Sequence, residues 1–194
     1  MTIESPDKAI AIFVAQQNLS LRDDNPDYES LVLGGYMIGG GLMNSRLAKS
    51  IREQDGLSYR VGGGINGHPI EESGSFLAFA THAPENAEAL EAAFNEEIQR
   101  VLDDGFLPEE LEVAKEGYLQ PRQLNRAQDP SLVRVLTQGL YFDRDLSWDA
   151  DFEDRIEAVT VEQVNAAVRR HLDLSKMTIV RAGDFEGAKA KVIP

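Results

Sequence analysis

The sequence predicts an α+β fold in which an antiparallel or mixed β-sheet carries helices packed on one face. A β-branched and aromatic stretch, AIAIFVAQQNL at 9–19, has strand composition. The segments LSYRVGGGIN (57–66) and SFLAFATH (75–82), joined by GHPIEESG, read as an antiparallel hairpin. Helical spacing then dominates up to a closing strand-like stretch, KMTIVRAG at 176–183.

In chain order, the 9–19 strand is expected to be buried on much of both faces, since its apolar residues run almost continuously. Asn25 followed by Pro26 offers a cap and a first helical residue. The helix after them carries Leu31, Leu33 and Tyr36, but Gly34 and Gly35 weaken it, and Gly39, Gly40 and Gly41 favour a break. Asn44 or Ser45 caps a second helix on which Leu47 and Ile51 share a face, and Gly56 stands where a left-handed terminus belongs. The hairpin follows, with Leu57, Tyr59 and Val61 alternating against Ser58 and Arg60 in the period of a strand.

Residues 85–104 place Leu90, Ala93, Phe94, Glu97, Ile98, Val101 and Leu102 three and four apart, and Gly105 closes the helix. Pro108 opens another helix through about residue 120, which Pro121 ends or kinks. Asp129 and Pro130 open the next, and Thr160 with Gln163 forms a capping box ahead of a helix over 161–172. No repeat, linker or low-complexity tract divides residues 1–194, which therefore read as one domain.

Charge and composition exclude several classes of function. A formal net charge of -14 repels phosphate backbones and anionic membranes, so nucleic acid is not an expected partner. There is no cysteine, which removes disulfides, thiolate zinc sites and thiol nucleophiles. The apolar runs fall short of a membrane span and the N-terminus lacks the pattern of a signal peptide; a soluble protein is expected, and its compartment stays open.

The glycine run at 39–41 invites a phosphate-binding reading. A P-loop needs Lys-Ser/Thr after its last glycine, however, and here Leu42, Met43 and Asn44 follow. A helix break or close helix packing is the better expectation. HPIEE at 68–72 differs from the zinc motif HxxEH by one residue, Glu72 in place of the second histidine. Pro69 and the flanking Gly67 and Gly74 indicate a loop, not the helix on which two ligands could share a face. His82 and His171 are isolated, no GxSxG elbow occurs, and the acidic pairs at 71–72, 96–97, 103–104 and 109–110 read as solvated faces or helix-end charges. No metal ligands and no catalytic residues are expected in this chain.

Arg52 and Tyr59 are the candidate site residues. Arg52 lies in the last turn of its helix, and Gly56 reverses the chain so that Tyr59 begins the next strand close by. Guanidinium and phenol are both donors able to converge on one carbonyl or carboxylate. The bland alternative pairs Arg52 with Glu53 or Asp55 and packs Tyr59 beside Leu57 and Val61.

The stretch GGGLMNSRLAKSIREQDGLSYRV resembles the motif region of the C-terminal homologous domain in the insulinase/pitrilysin family of zinc metallopeptidases, whose relatives include mitochondrial processing peptidase. The matching elements are a glycine-rich turn, Ser45-Arg46-Leu47, Ile51-Arg52-Glu53, Gly56-Leu57 and Tyr59, and the order of the remaining elements agrees across nearly the whole chain. Pro121 is a local departure. The resemblance implies the metallohydrolase-like fold of that family and the inactive, non-zinc-binding domain, a fragment or subunit of a longer multidomain protease. Its partner would be a homologous HxxEH-bearing domain holding zinc, while this chain holds none.

The resemblance also implies that the domain closes over its partner and contacts peptide substrate backbone through Arg52 and Tyr59. Tyr59 would donate at the scissile carbonyl, and the glycine-broken helix at 26–43 would stand where the catalytic half has its zinc helix. Ser45 and Arg46 need only cap and ion-pair roles. A structural or assembly subunit of the same fold, without a peptidase role, is the alternative.

Overall fold

The computed structural model describes residues 1–192. Five strands, β1 (Thr2–Glu4), β2 (Ala11–Leu19), β3 (Arg60–Asn66), β4 (Gly74–His82) and β5 (Thr178–Gly183), form one mixed sheet in the order β1-β5-β2-β4-β3. Only β1 and β5 run parallel; β2 pairs antiparallel with β4 and β5, and β3 with β4 form the expected hairpin. The short, exposed β1 carries no periodic pattern and was not legible beforehand.

β2 departs from the expectation of burial on both faces. Ala11, Phe13, Ala15, Gln17 and Leu19 are buried and the alternate residues are not, with Ile12 48% exposed. The helices cover one face of the sheet and leave the other open, so half of an apolar strand faces solvent.

On the covered face, α1 (Tyr28–Gly35) continues as a π-helical stretch, Tyr36–Gly40, and ends at Gly41. Its start is later than Asn25-Pro26, because Asn25 instead closes a turn, its side chain accepting from the Asp27 N–H (2.9 Å). The glycines do end this helix where expected, but Gly34, Gly35 and Gly39 also pack it. A Cβ at Gly35 would lie 2.4 Å from the Ile65 nitrogen, one at Gly39 2.8 Å from that of Gly63, and one at Gly34 2.6 Å from Val168 Cγ2. The helix therefore touches β3 backbone to backbone.

Outside α1 lie α3 (Pro108–Arg126), α5 (Leu146–Ala158) and α6 (Val161–His171), and α2 (Ala87–Asp104) packs beside it over β2. One core cluster runs through all of them from Phe13 to Leu172, with Phe13, Phe76, Phe94, Leu31, Leu33 and Ile98 fully enclosed. The capping box before α6 forms as expected: Thr160 N–H donates to Gln163 Oε1 (2.8 Å), and Gln163 N–H to Thr160 Oγ1 (3.4 Å). Gly105 ends α2 at φ +78°. α4 (Asp129–Phe142) opens at Asp129-Pro130 but buries no residue fully, and α7 (Phe185–Val192) follows β5.

Pro121 does not end α3, which runs on to Arg126. The turn beyond it is fastened by charge: Arg122 reaches Asp149 (2.9 Å) and Glu153 (3.1 Å) on α5, and Arg126 also pairs with Glu153. These links offset the hydrogen bond that a proline cannot donate.

The glycine contact yields a stability prediction. Gly35→Ala places a methyl against backbone that cannot yield without moving β3, and should cost about 1 to 3 kcal/mol. Gly64→Ala, with nothing within 4 Å of its Cβ, should leave the urea midpoint near that of the parent.

Candidate functional site

The helical segment that carries Arg52 starts at Ser45. This residue has extended backbone, donates its hydroxyl to the Leu42 carbonyl (2.9 Å) and accepts from the Ala48 N–H (3.4 Å), which makes it the cap. From Ala48 to Gln54 the winding is π-helical, with Leu47 and Ile51 buried. Gly56 takes the left-handed conformation at φ +63°, and the Leu57 N–H donates to the Ile51 carbonyl (2.9 Å). That bond sets the start of β3 against the end of the helix.

Arg46 ties the same segment to two other helices. Its guanidinium binds Glu110 through two nitrogens (2.6 and 2.7 Å), lies 3.6 Å from Glu97 and donates to the Gly105 carbonyl (3.2 Å). The Glu110 bonds strengthen the hold of Arg46 on its proton, and burial pushes the Glu97 carboxyl up. Glu97, 3% exposed, and Glu110 are not the solvated charges expected from their places in acidic pairs. The apolar spacing of α2 had nonetheless put Glu97 on its inner face.

Neither bland reading of the candidate pair survives. Arg52 is exposed and, among the described residues, pairs with no carboxylate, its Nη1 meeting Met43 Sδ (2.6 Å) instead. Tyr59 is 61% exposed, while Ser58 beside it is buried. The simple alternation of 57, 59 and 61 fails because the strand is bulged. The Tyr59 N–H donates to the Thr81 carbonyl (2.8 Å), although Thr81 stands opposite Arg60 in the β3–β4 register. Two residues against one bend the strand and re-aim its side chains, and Tyr59 and Arg60 both come out exposed.

Tyr59 and Arg60 lie at the β3 edge of the open sheet face. Arg60 sits over the Phe79 ring (5.4 Å to its centre), and that ring fills the space a Cβ at Gly62 would need (3.0 Å). Phe79, Leu77, Ile12 and Val14 share this face, since their register partners alternate with the buried set. Sequence reading missed Arg60 and this apolar floor; the signal available was the near-continuous apolar character of β2 and β4.

Among the described residues no group of three or more His, Asp or Glu is placed to hold an ion. His68 lies in a loop, where its Nδ1 accepts the N–H groups of Ile70 (3.1 Å) and Glu71 (2.9 Å). His82 stands opposite Ala11, whereas the His171 carbonyl meets the Gln17 side chain (2.8 Å), so the two lie toward opposite ends of β2. The glycine run is no phosphate cradle either: it follows a helix, and the Gly41 N–H is spent on the Tyr36 carbonyl (2.7 Å). No helix is long and apolar enough to cross a membrane, among the described residues.

Comparison with known proteins identifies the family and the fold. The peptidase M16 inactive domain family matches residues 2–118. This chain belongs to that family. An uncharacterized zinc protease of Mycobacterium tuberculosis is 32% identical over 137 residues, 70% of this chain and 30% of that protein. The chain thus spans less than a third of that relative. The crystal structure of a peptidase M16 inactive domain from Pseudomonas fluorescens superposes with a TM-score of 0.80 at 30% identity, over 94% of this chain and 42% of that one. A protease from Helicobacter pylori shares the fold at a TM-score of 0.81 and 14% identity, over 93% of this chain and 43% of that one.

Two predictions arise from these M16 side chains. Arg46→Ala removes the cation of half-buried Glu110, while Glu97 keeps Arg100 (2.7 Å), and should destabilise the domain by about 1 to 3 kcal/mol in chemical denaturation. His82 is fully buried, with Nδ1 bonded to the Ala83 carbonyl (2.8 Å) and Nε2 unpartnered, and burial holds its pKa below the ordinary 6.5. The unfolded chain therefore binds this proton more readily. The stability it contributes is complete above pH 6.5 and is lost as pH falls from there toward the folded value. His82→Leu should flatten the fall of the denaturation midpoint between pH 7.5 and 5.

Proposed function

We propose that this M16 domain is the non-catalytic, substrate-binding half of a zinc metallopeptidase, closing over a homologous domain that carries HxxEH. Arg52 and Tyr59 then contact the backbone of the peptide between the halves. The observation that carries the reading is the exposure of both side chains, with no carboxylate paired to Arg52 among the described residues, on the two sides of the turn that joins the helix end to β3. The mycobacterial zinc protease is long enough to hold a second domain, since this chain matches 30% of it.

Zinc held by the partner half would supply the activated water and polarise the scissile carbonyl. This chain's part is binding and orientation. The Tyr59 hydroxyl donates to the carbonyl oxygen as negative charge develops on it, and a donor aimed at that charge is worth about 2 to 4 kcal/mol in such sites. Arg52 offers several donors in a fixed fork, suited to backbone carbonyls beside the scissile bond. The Ile51–Leu57 turn and the Arg46 anchor fix where both begin.

An assembly role is the second reading. It is favoured by the apolar surface of α4, where Val133 (61%), Leu136 (43%), Leu140 (84%) and Tyr141 (77%) are exposed.

In the intact enzyme, Arg52→Ala and Tyr59→Phe should each lower kcat/KM by an amount equivalent to about 2 to 4 kcal/mol, with zinc content unchanged. Unaltered kinetics for both variants would move the protein to the assembly reading. Chelator-sensitive hydrolysis of unstructured peptides by this chain alone would overturn the division of labour.

A further inference from the structure

Arg60 is an exposed cation on the open sheet face, and its setting differs from that of most arginines in the chain. Arg22, Arg46, Arg100, Arg144 and others all reach carboxylates, as expected in a protein with thirty-three acidic side chains. Arg60 reaches none among the described residues. It lies over the Phe79 ring, an arrangement that steadies the guanidinium while leaving its N–H donors free in the plane. Beneath it the floor is apolar: Phe79, Leu77 at 38% exposure, Val14 and Ile12 at 48%. Beside it, turned out by the same bulge, stands Tyr59.

We infer that Arg60 is a specificity-determining residue of this surface, selecting extended peptides that present a carboxylate side chain together with an apolar one. The inference rests on the reading of the open face as a peptide-binding wall. Alternate side chains of an extended peptide point the same way. An apolar side chain laid on Phe79 and Leu77 thus leaves an acidic neighbour on that side within reach of Arg60.

Charge complementarity selects this occupant. The chain's net charge of -14 repels acidic peptides at long range, but at about 0.15 M salt that field fades within about 8 Å, whereas a guanidinium–carboxylate contact persists. The local cation therefore decides the preference at the rim, in the direction opposite to the overall charge.

The test uses the 194-residue chain and a fluorescein-labelled, unstructured decapeptide with leucines and one central glutamate. Its twins carry glutamine or lysine at that position. Fluorescence anisotropy at about 0.15 M salt should show the glutamate peptide binding about fivefold tighter than the glutamine one, the size of a solvent-exposed charge pair, with lysine weakest. Arg60→Gln should level the series and Arg60→Glu should reverse it, both variants keeping the parent's melting temperature.

Equal binding of all three peptides by the parent, unchanged in Arg60→Glu, would sink the assignment of Arg60 and leave the peptide-binding wall standing. A glutamate preference that persists in Arg60→Gln would also overturn it, placing the discrimination on another cation such as Arg52. Failure of every peptide to bind would remove both the wall and the inference. So would a dimer in sedimentation that Leu77→Asp dissociates, because a second copy would then cover the floor.

Discussion

The structure depends on a contact between backbones. α1 and its π-helical continuation lie against β3 at a distance that no side chain permits, with Gly35 and Gly39 one helical turn apart above Gly63 and Ile65. Glycine is unfavourable inside a helix, by about 1 kcal/mol relative to alanine. Here that cost is offset by burying α1 between the sheet and α3, α5 and α6. With the helix seated so low, its end at Gly41 delivers the chain to Ser45, and the segment bearing Arg52 must run beside β3.

A chain of anchors carries that placement to the exposed rim. Arg46 fastens the segment to α2 and α3, Gly56 reverses its direction, and the Leu57–Ile51 bond closes the turn. The bulge at Tyr59 then converts a strand that would have hidden one of two neighbours into one that shows both. Each anchor is half-buried or main-chain in character, whereas Arg52 and Arg60 pair with no carboxylate among the described residues. That division, rigid support beneath unpaired donors, is what a site needs if its geometry is to exist before a ligand arrives.

The open sheet face is the other half of the arrangement. Its helices lie on one side only, so Ile12, Leu77 and Phe79 sit at a water-facing surface where polar residues would be the ordinary choice. Apolar exposure of this kind, with Arg60 over Phe79 at its edge, is the character of an interaction surface. In an M16 domain that matches 30% of a zinc protease relative, the partner half and peptide of the proposed function would account for it.

Periodicity and punctuation in the sequence determined most of the elements. The hairpin, the helix over 85–104, the Thr160–Gln163 box, the Ser45 cap and the left-handed Gly56 were all legible, because each is set by residues within a few positions of one another. The family motif likewise singled out Arg52 and Tyr59. Tertiary structure alone decided which face of β2 stays open, why Pro121 fails to stop α3, and that Glu97 and Glu110 are paired with Arg46 and not solvated. It also decided that Gly35 and Gly39 pack against a strand, and that Tyr59 and Arg60 emerge together. The physical reason is common to these cases: each is settled by a partner distant in the chain, and local spacing carries no record of what a side chain will meet across the fold.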